Sequence, residues 1–530
     1  MISGGIVFQK VIVYNKIAFK HFKLIYFNMA KSKLDIIIKT FYQCKSVLLF
    51  SFLIFTILIK YQPPNGKLSS GEEMYFGFAL ALDKEIPNSY SSFGLTELKS
   101  RYFFNKLSVV LIKKFGHEKA QRIGRLISLI LYSMCLGYFF KLIRFNLFQL
   151  TICLLMFLFF GQDLFGGEWF FHSLQPKIFA YPILFLALTC IIKNRFLEST
   201  IWLAITTHIH FLIGGWFFLF SLIFMTVKKV SAKKFFNYIV IYTVVATPLI
   251  VHVLKNHFII ADLENFKNFP SADWIYAFYR HPHHIAPFKN FSFFYGWWFK
   301  GIIISIPLTI LSFHIYSKGK SCIYQNIALL NIIIFAQLYF CLILAFFDQT
   351  YFFGKFMMFR STSMALFLSI VLSIIWINQI IDNQKSKTNF NLFIFSILFL
   401  IHFSNYPWKL IQMVRQPIVI GTDLIDFIVD NTFQDDIILI DPRLENKLLH
   451  FERQTQRPTL VTRTFIPTTK TGILEWYRRI QFKEKIFNNL PTNEEYQYSY
   501  LITSVSKSSL NEKYGNPIYK KNYFVYRRPN

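Results

Sequence analysis

Apolar residues along this chain come in runs of roughly 15–25, and most runs are closed by a Lys/Arg cluster, a Pro or a Gly pair. At the rise of an α-helix, runs of that length match the thickness of a bilayer's hydrocarbon core. The first is Ser46–Ile59, ended by Lys60 and Pro63-Pro64. Gly124–Ile143, Leu147–Phe160 and Ile178–Ile192 follow. Residues 199–227 read as a hairpin of two short spans turning at His208–Gly215, where a Gly pair interrupts the helix. Phe236–Val253, Gly301–Tyr316, Ile323–Phe347, Ser361–Ile380 and Asn391–Phe403 bring the count to about eleven crossings.

From about Ser404 the pattern changes to that of a water-exposed domain. Leu424–Val429 and Thr471–Phe482 read as helices, and Ile437–Ile440, Tyr500–Ser504 and Tyr523–Tyr526 as strands. The fold class expected is therefore an α-helical polytopic membrane protein with about 11 transmembrane helices and a small C-terminal α/β domain. Residues 1–45 form a basic interfacial segment, 46–404 the transmembrane domain and 405–530 the α/β domain.

Composition sharpens this in two places. Of 530 residues, 54% are hydrophobic, which excludes an ordinary water-soluble enzyme. The net charge of +29 lies largely in short clusters beside the spans, so the expected partner is the lipid bilayer and not nucleic acid. Placing the lysines inside puts the N-terminus in the cytoplasm of an inner-membrane protein. Loops 61–123, 161–177, 254–297 and 348–360, and the C-terminal domain, then fall outside. The six cysteines lie in or beside apolar runs with no CxxC, so neither a disulfide framework nor a zinc finger is indicated.

The unusual polar residues concentrate in those outer loops. Arg280-His281-Pro-His283-His284 packs one guanidinium and three imidazoles into five residues, a set suited to a phosphate or a metal ion. Around it fall Glu72-Glu73, Asp163, Glu168, Trp169, Gln175, Lys177, His208, His210 and Arg360. Each also has a plainer reading. Glu72-Glu73 suits the cap of an interfacial helix, Glu168-Trp169 an interface anchor, and Gln175-Pro176-Lys177 a loop end before a span. His208 and His210 suit backbone hydrogen bonds at a hairpin tip. In the tail, Arg453, Arg457 and Arg463 read as surface or interdomain ion pairs, and Glu475-Trp476-Tyr-Arg478-Arg479 as a helix docked on the membrane domain. The histidine spacing is compatible with a divalent cation, with Glu72 as a further ligand. No HExxH or comparable motif is present, so no metal is assigned.

Phe165-Gly-Gly-Glu-Trp…Leu174-Gln-Pro-Lys-Ile-Phe-Ala-Tyr-Pro182, His210-Phe-Leu-Ile-Gly-Gly-Trp216, Arg280-His-Pro-His-His284 and the tail Phe451-Glu-Arg453…Arg457-Pro…Glu475-Trp-Tyr-Arg478 resemble a bacterial branch of the membrane glycosyltransferases of the C-type fold. The resemblance implies sugar transfer from a polyprenyl-phosphate sugar to a glycan, lipid or protein acceptor outside the membrane. It implies Glu72 or Glu73 as catalytic base. Arg280, His281, His283, His284, Arg360 and Lys177 would hold the donor phosphate. Asp163, Glu168, Trp169, Gln175, His208 and His210 would hold sugar and acceptor. The superfamily's Asp-Glu or Asp-Asp pair stands here as Glu72-Glu73, which leaves open which carboxylate is the base. A transporter or flippase for an anionic solute, or an envelope scaffold, are the competing classes. Few polar groups interrupt the spans themselves, which disfavours a midplane transport path.

Overall fold

The computed structural model describes residues 68–83, 101–258, 268–319, 321–383, 422–491, 496–506 and 508–529. The basic segment 1–45 and the spans expected at 46–59 and 391–403 lie outside them. The helical body comprises α1 (Ser70–Leu82), α2 (Tyr102–Ile143), α3 (Leu147–Phe159), α4 (Pro176–Ile192), α5 (Phe196–Ile209), α6 (Phe211–Val227) and α7 (Ala232–Phe258). After α8 (Ala272–Trp274), a π-helical turn Ile275–Arg280 and α9 (Pro282–Ile285), α10 (Phe291–Phe294) runs through a second π turn, Tyr295–Phe299, into α11 (Lys300–Lys318). The body closes with α12 (Cys322–Phe347) and α13 (Thr362–Asn383).

Among the described residues, five helices are long and apolar enough to cross a membrane: Tyr102–Ile143, Ala232–Val253, Phe291–Lys318, Cys322–Phe347 and Thr362–Ile380. The chain is a multi-pass membrane protein. Among the described residues the expected count of about eleven crossings is not established: two of the expected spans lie outside them, and α3, α4 and α6 have only 13, 17 and 17 residues. At ~1.5 Å per residue they fall short of a ~30 Å hydrocarbon core.

Loop boundaries shift as well. The stretch 61–123, expected as a loop, holds α1 and the start of α2, whose 42 residues bend at Gly116 (φ +75°). The 254–297 loop is narrowed by α7 at one end and by the helix beginning at Phe291 at the other. The turn between α5 and α6 falls at His210, whose backbone is extended, and not at Gly214-Gly215. Gly214 sits inside α6, where a Cβ would stand 2.1 Å from Thr207 Oγ1, so its smallness serves close helix packing.

Much of the stretch 161–177, expected as an outer loop, is built into the core. Phe170 is fully buried among Phe157, Phe185 and Phe367, with centroids 4.8–6.0 Å away, and so ties α3, α4 and α13 together.

The C-terminal domain contains α14 (Thr422–Asn431), β1 (Ile438–Ile440), α15 (Phe451–Thr455), α16 (Lys470–Phe487), β2 (Tyr500–Thr503), α17 (Ser508–Tyr514), β3 (Tyr519–Lys520) and β4 (Phe524–Arg527). The sheet order is β1-β2-β4-β3, with β1 parallel to β2 and the other two pairings antiparallel. Period-two alternation sorts the strands onto two faces. Leu439, Leu501 and Tyr526 pack with Phe482 and Ile486 of α16, while Ile438, Ile440, Ile502 and Val525 pack with Leu424 and Ile428 of α14.

This domain docks on the helical body through two apolar contacts. Trp476, fully buried, and Ile480 of α16 meet Ala272 and Ile275. Phe465 meets Phe78 of α1. The docking helix read from Glu475-Trp476 is thus in place at that contact.

Candidate functional site

The site is organised by the turn 161–175. Gly161, Gln162, Gly166 and Gly167 all take positive φ, so the chain coils tightly upon itself. Gln162 splints the coil: its Oε1 accepts from the amides of Phe170 (3.0 Å) and Phe171 (2.7 Å), and its Nε2 donates to the Phe171 carbonyl (2.7 Å). Asp163 accepts from the amide of Glu168 at 3.0 Å and from that of Gly167. The coil presents Glu168, 3% exposed, to two cations. Lys177, from the first turn of α4, donates to its Oε1 at 2.8 Å, and Arg360, from the turn before α13, to its Oε2 at 3.0 Å. The Lys177 ammonium also stands 3.6 Å from the centroid of Trp169, a cation–π contact.

The same turn meets the histidines. The Gly166 carbonyl is hydrogen-bonded to Nδ1 of His284. Gly167 has φ +65°, which favours glycine, and a Cβ there would stand a tight 3.2 Å from the His284 ring. His283 and His284 have ring centroids 4.0 Å apart, with His281 about as near to His284 (5.8 Å) as to His283 (6.2 Å). Arg280 donates through Nη2 to the Thr464 carbonyl of the C-terminal domain at 3.2 Å. The Nε atoms of Arg280 and Arg360 and Nδ1 of His281 are buried with no hydrogen-bond partner among the described residues. Native interiors seldom leave such donors unsatisfied.

Burial dominates the electrostatics. It lifts the Asp163 carboxyl from its ordinary 3.8 to about 7, against the two backbone donors it accepts. It lowers the His283 imidazole to about 4, with help from the Arg280 charge, and holds those of His281 and His284 well below the usual range. Arg280 itself is pulled down to about 10 by burial and by neighbouring Arg463, whose guanidinium lies over the Tyr279 ring.

The two glutamates proposed as base sit elsewhere and are fully engaged. Glu72, 0% exposed, closes a capping box with Ser69 at the start of α1. Its Oε1 accepts from Arg125 Nε (2.8 Å) and the Leu174 amide (2.7 Å), and its Oε2 from Arg125 Nη2 (2.8 Å), the Ser69 amide (2.9 Å) and Gln121. Five donors fill the roughly four lone-pair sites of a carboxylate. Glu73 takes a forked pair from Arg453 at 2.8–3.1 Å, tying α1 to the C-terminal domain.

Gln175 is drawn to this second group: its Nε2 donates to Ser173 Oγ, and it touches Gly71 of α1. His208 Nε2 bonds the Val245 carbonyl (2.8 Å), a helix-to-helix tie between α5 and α7. His210 is buried at the α5–α6 junction, where it caps α6. The structure therefore brings together Asp163, Glu168, Trp169, Lys177, Arg360 and the Arg280–His284 cluster. It holds Glu72, Glu73 and Gln175 in a separate network, and His208 in a third place.

Residues that sequence reasoning missed are Arg125 and Gln121, both on α2. A signal existed: a charge and an amide spaced i, i+4 at the mouth of an apolar run point to one helix face and a buried partner.

The fold and site thus define a multi-pass membrane protein carrying a docked α/β domain over a buried, cation-rich cluster. A family described as a domain of unknown function (DUF6798) matches residues 421–482, from near the start of α14 into α16. That likeness covers part of the C-terminal domain and none of the helical body. No curated protein matches the chain.

Proposed function

We propose that this chain is an integral-membrane glycosyltransferase that moves a sugar from a polyprenyl-phosphate donor to an extracytoplasmic glycan, lipid or protein acceptor. The observation that carries the reading is the surplus of buried donors around Arg280 and Arg360. Each guanidinium keeps a shielded Nε with no partner among the described residues, and Glu168 is the carboxylate that Arg360 and Lys177 share. A phosphate group supplies the acceptor oxygens that such donors require, and binding it there stabilises the charge it gains as it leaves.

In this reading the acceptor hydroxyl or amide attacks the anomeric carbon and the bond from that carbon to the phosphate oxygen breaks. The electron pair goes to the departing phosphate, and the acceptor's proton goes to a carboxylate. Glu72 and Glu73 are poor bases, because their oxygens are already occupied by arginine forks and amides. Asp163 is the better one: it lies beside the cationic cluster, and its carboxyl titrates near neutrality. Glu168 positions Arg360 and Lys177, and Trp169 offers an aromatic surface for the sugar.

Lipid and glycan profiling tests the reading in a deletion strain and in strains carrying Asp163→Asn or Arg280→Ala. Loss of one glycan with accumulation of one prenyl-phosphate sugar in all three is the expected result. A normal profile in both variants, with a defect only in the deletion, would overturn it in favour of transport or scaffolding.

A further inference from the structure

We propose that His281, His283 and His284 form a binding site for a zinc-class transition-metal ion, with one coordination position left open to an oxygen donor. The site stands on geometry that does not depend on the glycosyl-transfer reading. One ring nitrogen from each histidine lies within 4.8 Å of the others. Tetrahedral zinc with metal–nitrogen bonds of ~2.0–2.1 Å sets its nitrogens ~3.4 Å apart, so modest ring rotations close the set.

The backbone prepares this convergence. His281 follows the π-helical turn, Pro282 opens α9, and its fixed φ starts the single helical turn that carries His283 and His284.

Two further observations point to a metal. The Gly166 carbonyl can only accept, so the hydrogen bond it shares with His284 assigns the proton to Nδ1 and leaves the Nε2 lone pair free. A backbone carbonyl fixing the tautomer from behind is the usual outer-shell support of a ligating histidine. Nδ1 of His281 is buried without a partner, and a metal ion would satisfy it.

An all-imidazole set suits zinc, copper, nickel or cobalt, and excludes magnesium and calcium, which require oxygen ligands. Three neutral imidazoles beside Arg280 supply no negative charge. The fourth ligand is accordingly anionic: hydroxide or a phosphoryl oxygen.

The test uses the full chain purified in detergent, stripped with a chelator and titrated with Zn(II). One zinc per chain is expected, with affinity falling at least ~10–100-fold in His283→Asn and binding abolished when all three are changed to Asn. His283→Asn guards against misfolding, because among the described residues His283 makes no hydrogen bond. Its unfolding temperature without metal should equal that of the unaltered chain, and a given Zn(II) concentration should raise it less. Co(II) loaded in place of zinc should give the intense visible bands of four-coordinate geometry. Retention of zinc by the triple variant, no zinc held by the folded unaltered chain, or a weak six-coordinate Co(II) spectrum would each overturn the proposal.

Discussion

Two buried charge clusters lie under the docked domain, and they differ in how far their hydrogen-bonding capacity is filled. Around Glu72 every carboxylate oxygen is taken, and both glutamates face an arginine fork. Around Arg280 and Arg360, both guanidinium Nε atoms and one imidazole nitrogen are buried with no hydrogen-bond partner among the described residues. The residue types alone do not separate the two, since acidic and basic side chains occur in both. The count of satisfied donors and acceptors does: a closed network holds the fold, whereas an open one awaits a ligand.

The comparison breaks most visibly at Glu72. Glu72→Gln leaves Arg125 buried beside a neutral amide and should destabilise the chain by about 3–5 kcal/mol, read by thermal unfolding in detergent. Combining it with Arg125→Met should recover much of that loss, as expected when the cost comes from a stranded charge. If Glu72→Gln unfolds like the unaltered protein yet makes no product, Glu72 is the base and its network is not merely structural.

Next in size is Arg280→Ala. Arg280 has no carboxylate partner among the described residues, so stability should change by well under that amount. Affinity for a prenyl-phosphate should drop ~10–100-fold, the worth of one charge-assisted bond at about 1.5–3 kcal/mol. Equal binding by the variant would remove Arg280 from the site.

Much of the architecture was legible because apolar periodicity is a local signal. Ile323–Phe347 and Ser361–Ile380 nearly coincide with α12 and α13, and Ile437–Ile440 with β1. What misled was chemistry that depends on tertiary contacts. Gly166 and Gly167 look like ordinary loop glycines, yet one supplies a carbonyl to His284 and the other admits its ring. Glu72-Glu73 looks like a catalytic pair until Arg125 and Arg453, 53 and 380 residues away, come into view. No local pattern could report that the Nε of Arg280 is buried without a partner among the described residues.

A smaller effect is expected at the domain junction. Arg453 is 18% exposed at its side chain, so its fork on Glu73 is partly screened. Arg453→Ala should cost on the order of 1–2 kcal/mol and chiefly loosen the docked domain, because Trp476 and Phe465 still hold it. Hydrogen exchange should rise in α1 and α15 while the sheet stays protected. Unchanged exchange in α1 would show that the apolar contacts alone fix the junction.

The subtlest test is pH. The folded chain holds the Asp163 proton up to about pH 7, whereas the unfolded chain releases it near 3.8. Between those values the folded state binds more protons, so stability falls as pH rises through the window and is flat above it. Catalysis should run the other way. The ionised base accumulates as pH approaches 7, so turnover should climb through that range and level off above it. Asp163→Asn should abolish the climb along with most of the turnover, and flatten this part of the stability profile. The two slopes having opposite signs at one residue is what a base held ready by burial requires. A variant that keeps the pH-dependent rise in turnover would assign the proton to another carboxylate and return Glu73, whose carboxyl is also raised by burial, to consideration.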